Sequence, residues 1–405
     1  MFQDPSFHVI GVSHHTAGVG VREQLAVGPE DADALLERER AAGRSAVLLS
    51  TCNRCELYWW GEHDHEPAFR AFAAGRGLLD GRAIERRDGA AAVRHLYGVA
   101  AGLESQILGE TEILGQVRRA WDRARLAGAS DRCTDAVFSG ALAAGRRVRH
   151  ETGLGRHPVS VSGAAVRQAA ALWGPDLAEC PVLVLGAGEA AEGALRALHE
   201  AGARRVVLLN RTPERAAVLG AAWGTADVRG WDALEASVAE ADVVIAATAA
   251  PHAVLPVELV AAAQARREAR HPTRALLLLD LCVPRNVAPE AARVPGVRVV
   301  DLDGLQTRYC PGEARAAPVL AEAERVLAEE IARLDVRLRG LAASPRLAEL
   351  HAQAAGLAAE EVARVLSRCP DLESHHRDAM REMAERLVQR VLYPVSRAVR
   401  SGDFD

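Results

Sequence analysis

Two cysteines, Cys52 and Cys55, follow an apolar run in the segment LSTCNRCELYWW. Their spacing suits half of a zinc site, a dithiol redox pair, or one nucleophilic thiol beside an incidental neighbour. His63 and His65 offer two further zinc ligands, although His-x-His after a tryptophan-rich strand is not the usual second half of such a site. A redox pair normally opens a helix, whereas these cysteines lie between predicted strands. Two ordinary buried thiols remain a fourth interpretation, and a single nucleophilic thiol is favoured.

A nucleophilic role for Cys52 requires the thiolate, and nearby positive charge lowers the pKa of a thiol. Arg54 lies two residues away, and its guanidinium could instead hold a substrate carboxylate through two parallel hydrogen bonds. All 49 basic residues are arginine, which excludes lysine Schiff bases and lysine nucleophiles.

A second chemical motif, GAGEAA, runs from Gly186 to Ala191 between a predicted strand and a predicted helix. It matches the G-x-G-x-x-G/A dinucleotide fingerprint in its required context. Gly186 allows the tight turn, Gly188 lets the backbone approach a pyrophosphate, and Ala191 is small enough for helix–strand packing. The N-terminus of the following helix would bind the phosphates. The predicted cofactor-binding residues here are Gly186, Ala187, Gly188, Glu189, Ala190 and Ala191.

The end of the next predicted strand distinguishes between the two nicotinamide cofactors. NAD-binding sites usually carry an acidic residue here that binds the ribose 2′-hydroxyl. This chain has Asn210, Arg211 and Thr212 instead, and Arg211 can pair with a 2′-phosphate. The sequence therefore favours NADPH, with a solvated loop cation as the alternative interpretation of Arg211. A nucleophilic thiol and a hydride donor together suit capture of an acyl group as a thioester and its reduction to an aldehyde.

The elements that must position these motifs differ along the chain. Short predicted strands at 7–14, 45–51 and 56–60 place the cysteines on a tight connection between strands. The pattern is helical from about Val93 to His150. Strands then alternate with helices through the middle third, which predicts a parallel sheet built from βαβ units.

The last third is rich in Ala, Glu, Leu and Arg after Pro311. Leucines at heptad spacing from Leu320 to Leu341 predict a long helix with a narrow apolar seam. Pro345 is expected to end or kink this helix. The seam needs a partner helix, either within an intramolecular bundle or, as we favour, in a dimer.

Composition limits the class of protein. A chain of 405 residues suggests two to four domains, and 49% hydrophobic with 25% charged residues predicts a packed core. No run of about 18 apolar residues or secretory signal is present, so neither a bilayer span nor secretion is expected. Seven scattered cysteines favour a reducing, cytoplasmic location. The net charge of −5 argues against a general polyanion-binding surface but permits a local basic face.

The sequence resembles the glutamyl-tRNA reductase family over nearly its whole length. Several separate blocks in the same order make this resemblance more specific than any single motif. The blocks are GVSHHTAGVGVRE (11–23), STCNRCELY (50–58), HLYGVAAGLESQILGETEILGQVRRAW (95–121), SVSGAAV (160–166), LGAGEAAEGALRAL (185–198), LLNRTPERA (208–216), ATAAPH (247–252) and LDLCVPRNVAPEAARVPGVRVVDLDGLQ (279–306).

The resemblance implies a multidomain α/β fold. An α+β catalytic domain that recognises glutamate and tRNA would span residues 1–157, and a Rossmann-type NADPH domain with a parallel sheet would span 158–305. An all-α dimerisation domain on a long helix would span 306–405. The implied partners are glutamyl-tRNA(Glu), a second copy in a homodimer, and glutamate-1-semialdehyde aminomutase, which receives the product. No metal is implied.

The same resemblance assigns the chemistry to Cys52, which would attack the ester joining glutamate to its tRNA. NADPH would then reduce the resulting thioester to glutamate-1-semialdehyde, the first step of the five-carbon route to tetrapyrroles. His95 is the implied residue for proton transfer, and Thr248 in the ATAAPH block joins the cofactor site. The implied substrate-binding residues are Thr51, Arg54, Ser105, Glu110 and Gln116.

Two departures from the family pattern concern the same pocket. Glu112 stands where the family usually has glutamine, which adds a negative charge near an anionic substrate. Cys55 stands where an apolar residue or threonine is common, and we expect it to be a passenger that can form a disulfide with Cys52 under oxidation.

The sequence also suggests which segments contact tRNA and leaves two alternative functions open. Arginine-rich helical segments at 116–128 and 145–150 are candidates for phosphate contacts, or are solvated helix faces.

One alternative function is an NADPH dehydrogenase that resembles shikimate dehydrogenases and works without a covalent step. Such enzymes share the NRT feature, but they need a lysine–aspartate pair that a lysine-free chain cannot supply. A non-catalytic tRNA-binding relative would be expected to lack Cys52 or the glycine fingerprint.

Overall fold

The first sheet is antiparallel and carries the cysteine segment. The computed structural model describes residues 6–78, 81–110, 112–152, 154, 160–223, 226–269, 274–309 and 313–401. The strand order is β2-β3-β1-β4, and all neighbouring strands run antiparallel. The strands are β1 (Phe7–Ser13), β2 (Val47–Ser50), β3 (Arg54–Trp60) and β4 (Glu85–Asp88).

The register of this sheet corrects one expectation. Cys55 is the second residue of β3 and lies opposite Val12 on β1 and Ser50 on β2. Only Thr51 to Asn53 form the connection between β2 and β3. Cys52 is therefore in the turn, whereas Cys55 belongs to the sheet.

In the described part of the chain, six helices between residues 19 and 152 pack around the first sheet. The aromatic side chains of Phe7, Tyr58 and Phe138 meet at the centre, where the Tyr58 and Phe138 ring centroids are 5.7 Å apart. The helices are α1 (Val19–Arg22), α2 (Pro29–Ala41), α3 (Glu66–Gly75), α4 (Gly89–Ala101), α5 (Glu112–Leu126) and α6 (Arg132–Thr152).

The second sheet is parallel and has six strands in the order β7-β6-β5-β8-β9-β10. This is the 3-2-1-4-5-6 order of dinucleotide-binding domains, whose ligand crevice lies between the first and fourth strands, here β5 and β8. The strands are β5 (Val182–Leu185), β6 (Val206–Leu209), β7 (Ala226–Arg229), β8 (Val243–Ala246), β9 (Leu276–Asp280) and β10 (Val297–Val300). The helices are α7 (Val161–Trp173), α8 (Glu189–Glu200), α9 (Pro213–Trp223), α10 (Leu234–Glu240), α11 (Val257–Glu268) and α12 (Leu302–Tyr309).

Two long helices, α13 (Glu313–Arg368) and α14 (Ser374–Ser401), form the C-terminal part. Of the two alternatives for Pro345, the end of the helix is wrong, because α13 continues through that position to Arg368; a kink there stays a prediction. The heptad seam also packs differently from the dimer that we favoured. Leu327, Leu334 and Leu338 are buried in the core of the first domain, against α4 and α6. The second half of α13 packs along α14.

The three-part α/β architecture expected from the sequence is thus confirmed. The domain boundaries 1–157, 158–305 and 306–405 stay predictions, since residues 155–159 and 310–312 lie outside the described part of the chain. We refer below to the part around the first sheet as the catalytic domain and to the part around the second sheet as the nucleotide-binding domain.

Candidate active site

Hydrogen bonds fix the turn that carries Cys52. The Thr51 N–H donates to the Arg54 carbonyl over 2.8 Å, and the Asn53 N–H donates to Thr51 Oγ1 over 3.1 Å. From outside the turn, the His14 N–H donates to the Asn53 carbonyl over 2.9 Å. Arg22 Nε donates to the Cys52 carbonyl over 3.1 Å. Four contacts on four residues thus fix the backbone of the turn that carries the thiol.

The two cysteines face different cores. Cys55 is buried in the core of the catalytic domain, whereas Cys52 is half-buried and packs against the core of the nucleotide-binding domain. This arrangement does not favour a shared metal ion or a dithiol pair, and the Cys52–Cys55 disulfide under oxidation stays a prediction. Of the histidines considered as zinc ligands, His63 Nε2 lies 2.8 Å from a nitrogen of Arg44.

The charge around Cys52 differs from the sequence expectation. Burial, followed by the carboxylates of Glu110 and Glu112, raises the pKa of the Cys52 thiol to about 12. Arg22 acts in the opposite direction but does not outweigh them. Burial and the neighbouring Glu112 also raise the pKa of Glu110 to about 7. The thiol is therefore protonated at rest, beside a carboxyl group that can take up a proton near neutral pH.

A buried network surrounds Arg54. Its side chain is only 1% exposed, and Nη1 donates to Glu56 Oε1 over 3.0 Å while Nη2 donates to the Glu104 carbonyl. Glu56 also binds His95 Nε2 over 2.9 Å and accepts from the Tyr58 hydroxyl over 2.5 Å. The Arg54 Nε atom is buried and has no partner among the described residues. Nε is thus the guanidinium nitrogen whose hydrogen-bond donor is not already used by Glu56 or Glu104.

His95 is fixed at both ring nitrogens. Nε2 contacts Glu56, and Nδ1 contacts a nitrogen of Arg87. Its described contacts therefore lead to Arg54 through Glu56 and not directly to Cys52. The role of His95 in proton transfer stays a prediction, and this geometry favours a positioning role.

The segment between α4 and α5 supplies further predicted substrate residues. Gly102 caps α4 in the left-handed conformation, with φ of +79°, and its carbonyl accepts from the Gly109 N–H over 2.9 Å. This closed loop buries Ser105 and ends at the buried Glu110, whose carbonyl accepts from Arg149 Nη2 over 2.8 Å. Gln116 is half-buried one turn along α5.

The turn after β5 has the features of a pyrophosphate cradle. Gly186 has φ of +112°, and a Cβ here would lie 2.2 Å from the Ala247 carbonyl at the end of β8. A Cβ at Gly188 would meet no atom within 4 Å, so the space above the N-terminus of α8 is open. Ala191, in the first turn of α8, is fully buried on the inner face of this helix. Ala187 and Ala190 are half-buried, and Glu189 is exposed.

The second cofactor segment lies at the end of β6. The Asn210 side-chain amide donates to the Thr212 carbonyl over 2.9 Å, which shapes the turn. Arg211 is exposed there, as expected for a residue that meets a 2′-phosphate. Thr248 follows β8, and its hydroxyl bonds to Asn286 Oδ1 over 2.5 Å.

Ion pairs hold the nucleotide-binding domain against the Cys52 turn. Asp303, at the start of α12, accepts from the Val19 N–H over 2.7 Å and from both terminal nitrogens of Arg22 over 3.1 Å. Glu23 pairs with Arg285 over 2.6 Å. The same Arg22 thus contacts Cys52 and the second domain, so the thiol lies at the interface between them.

Each of the three parts of the chain matches a known protein family. Sequence profiles match residues 10–152 as the glutamyl-tRNAGlu reductase N-terminal domain, 168–308 as shikimate/quinate 5-dehydrogenase and 322–403 as the glutamyl-tRNAGlu reductase dimerisation domain. The glutamyl-tRNA reductase of Deinococcus radiodurans is 45% identical over 323 residues, which is 80% of this chain and 90% of the relative. That of Salinispora arenicola is 37% identical over 409 residues, covering 97% and 87%.

The chain belongs to the glutamyl-tRNA reductase family. The solved glutamyl-tRNA reductase from Methanopyrus kandleri aligns over 98% of both chains with 29% identity and a TM-score of 0.48. The match of the middle region to shikimate/quinate dehydrogenase indicates a nicotinamide cofactor. Matches on both sides of that region rule out a plain dehydrogenase of this type, and the dimerisation domain supports a homodimer.

Ion pairs occupy several of the arginines in the segments that were considered for tRNA contact. On α5, Arg119 pairs with Glu189 of the nucleotide-binding domain over 2.9 Å, and Arg123 pairs with Asp33 over 3.4 Å. Arg147 on α6 binds three carboxylates. Contact of these segments with tRNA stays a prediction. No helix in the described part of the chain has the length and apolar character needed to span a membrane.

Several residues of the site were not predicted from the sequence. Glu56 lies within the STCNRCELY block, and an acidic residue in a strand of otherwise apolar and aromatic residues is a signal of a buried ion pair. The contact between Arg22 and Asp303 joins residues 281 positions apart, and no local pattern marks it. His14, anchored to the Cys52 turn, also received no role.

Proposed function

We propose that the protein reduces the glutamyl group of glutamyl-tRNA(Glu) to glutamate-1-semialdehyde, the first step of tetrapyrrole synthesis, through a thioester on Cys52. The position of the Cys52 thiol carries this proposal. It sits on a turn of the catalytic domain yet packs against the core of the nucleotide-binding domain. One sulfur can thus receive an acyl group from one side and present it to a hydride donor on the other.

In the first step, the Cys52 sulfur bonds to the ester carbon and the bond to the terminal ribose oxygen breaks. The thiol proton must leave before or during this attack, and Glu110 is the neighbouring carboxyl group able to accept it. The released ribose oxygen takes up a proton. Arg54 Nε would hold the side-chain carboxylate of the substrate, while Glu56 keeps the guanidinium in place.

The cofactor is proposed to be NADPH, which supplies the hydride that reduces the thioester carbon. Gly186 and Gly188 leave the space that a pyrophosphate needs beside the α8 N-terminus. Arg211 is exposed where a 2′-phosphate would lie, and the tip of β6 carries no carboxylate. Once the carbon is reduced, its bond to the Cys52 sulfur breaks and the aldehyde leaves.

Incubation with glutamyl-tRNA that carries labelled glutamate, without NADPH, tests this function. We expect a labelled, hydroxylamine-sensitive acyl adduct on the protein, which later addition of NADPH converts to aldehyde. Cys52→Ser should form no such adduct, whereas the matched control Cys55→Ala should form it, because that thiol lies in the other core. Aldehyde production by Cys52→Ser at the parent rate would refute the covalent step.

Two further features are proposed on chemical grounds. The product carries both an amine and an aldehyde and is therefore reactive, so direct transfer to glutamate-1-semialdehyde aminomutase would protect it. A cytoplasmic location agrees with the seven scattered cysteines of the sequence. A pull-down with the purified aminomutase tests the first, and fractionation of cells tests the second.

A further inference from the structure

His14 is half-buried beside the Cys52 turn, and its side chain has no hydrogen-bond partner among the described residues. It follows directly after β1, and its backbone N–H donates to the carbonyl of Asn53, the residue next to Cys52. Both ring nitrogens are shielded from solvent, and neither makes a hydrogen bond to any described residue. Unpaired buried polar groups are costly and uncommon, and a missing ligand is one accepted explanation for them.

The charges around His14 keep its imidazole neutral. Burial, the neighbouring His15 and the guanidinium groups of Arg54 and Arg22 lower the pKa of the His14 imidazole to about 3, against the opposing effect of Asp303. The ring is therefore neutral at physiological pH, with one nitrogen as donor and the other as acceptor.

The charged groups that influence the His14 ring also belong to the site. Arg22 binds the Cys52 carbonyl, Arg54 is the proposed partner of the substrate carboxylate, and Asp303 belongs to the nucleotide-binding domain. The imidazole thus neighbours charged groups that bind the Cys52 turn, the substrate carboxylate and the nucleotide-binding domain.

We propose that His14 is a further catalytic residue, whose neutral imidazole donates a hydrogen bond to the acyl oxygen of the glutamyl group. This inference rests on the proposed function. The acyl oxygen becomes negatively charged twice, first when the Cys52 sulfur attacks and again when hydride reaches the carbon. A donor already in place at this oxygen stabilises both transition states without transferring its own proton.

Two variants separate this role from a structural one. His14→Phe retains a ring but has no N–H, whereas His14→Gln retains an N–H donor. Single-turnover measurements should show that His14→Phe slows both adduct formation without NADPH and later reduction by about 100- to 1,000-fold, the cost of losing one such donor. His14→Gln should recover most of both rates, and the KM for glutamyl-tRNA should change little in either variant.

The neighbouring His15 provides a matched control. It is exposed, and its ring centroid lies 3.9 Å from that of His14, so His15→Phe should leave both rates within about threefold of the parent. Thermal unfolding should show no loss of stability in His14→Phe, since the variant removes unpaired buried nitrogens. A loss of activity that follows a lowered melting temperature would overturn the proposal.

The pH dependence distinguishes a neutral donor from a charged acid. His15, Arg22, Arg54 and Asp303 surround the ring, and we expect the parent and His14→Gln to have the same pH profile between about pH 6 and 9, since the imidazole does not titrate there. An acid limb near pH 6.5 that disappears in His14→Gln would overturn the proposal. Parent rates in His14→Phe would do so too, while absence of an adduct in the parent itself would instead refute the proposed function.

Discussion

Replacing Glu56 with glutamine should destabilise the catalytic sheet severely. Glutamine keeps the shape of the side chain but removes the charge, so the buried Arg54 guanidinium loses its counter-charge at 3.0 Å. Coulomb's law at that distance with an effective dielectric constant of about 20 gives about 5.5 kcal/mol. Removal of one partner from buried pairs costs about 3–5 kcal/mol in other proteins. We therefore expect a loss of about 3–5 kcal/mol.

Hydrogen exchange of the β3 amides, followed by mass spectrometry, measures this loss locally. A change of about 3–5 kcal/mol corresponds to a fall in protection of about 150- to 5,000-fold. Glu85→Gln is the matched control, because Glu85 pairs with Arg87 over 2.8 Å on β4 of the same sheet but is exposed. Exposed pairs contribute about 0–1 kcal/mol, so this control should lose less than about sixfold. Equal losses in the two variants would refute the reasoning.

The pH dependence of the Glu56→Gln effect has a defined sign. Although burial alone would raise it, Arg54 and His95 hold the pKa of Glu56 well below its ordinary value. A carboxyl group with a lowered folded-state pKa stabilises the protein above its unfolded-state pKa of about 4.3, and this contribution is lost as the pH falls further. The difference between parent and variant should be constant from about pH 5 to 8 and should shrink below about pH 4.

Three further substitutions probe the interface, the cofactor and the thiol. Asp303→Asn weakens the contact between the domains, so reduction of a preformed adduct on Cys52 should slow by about tenfold or more while adduct formation changes little, as single turnover would show. Arg211→Ser should raise the KM for NADPH by about 10- to 100-fold and leave that for NADH unchanged. Glu112→Gln should shift alkylation of Cys52 by iodoacetamide to lower pH, because Glu112 raises the pKa of both this thiol and Glu110; an unchanged profile would contradict that role.

The sequence predicted the parallel sheet well where strands are unbroken apolar runs. The strands β5, β6, β8 and β9 are of this kind, and they lie in the middle third, where strands were predicted to alternate with helices. The strand β7, with the sequence ADVR, lacks such a run because charged residues interrupt it. Heptad spacing correctly showed that one face of α13 is buried, but a period cannot say what covers that face. Here the cover is the catalytic domain.

The candidate site was likewise only partly predictable from the sequence. Motifs revealed the Cys52 turn and the nucleotide fingerprint, since both are local in sequence. They did not reveal that burial and two carboxylates raise the pKa of the thiol, because these groups come from another segment. The link from Arg22 to Asp303 depends on how two domains meet. Residues that act through distant contacts need the fold before their role is visible.

The long helix α13 has a consequence for how the chain is made. Ala323, Val326, Leu327, Leu334 and Leu338 complete the core of a domain whose other members lie before residue 153. The nucleotide-binding module is thus an insertion into that domain, and emergence from the ribosome of the first 152 residues leaves an uncovered apolar surface. This surface must wait for some 170 further residues to be translated, at about 5–20 residues per second, before α13 can close it.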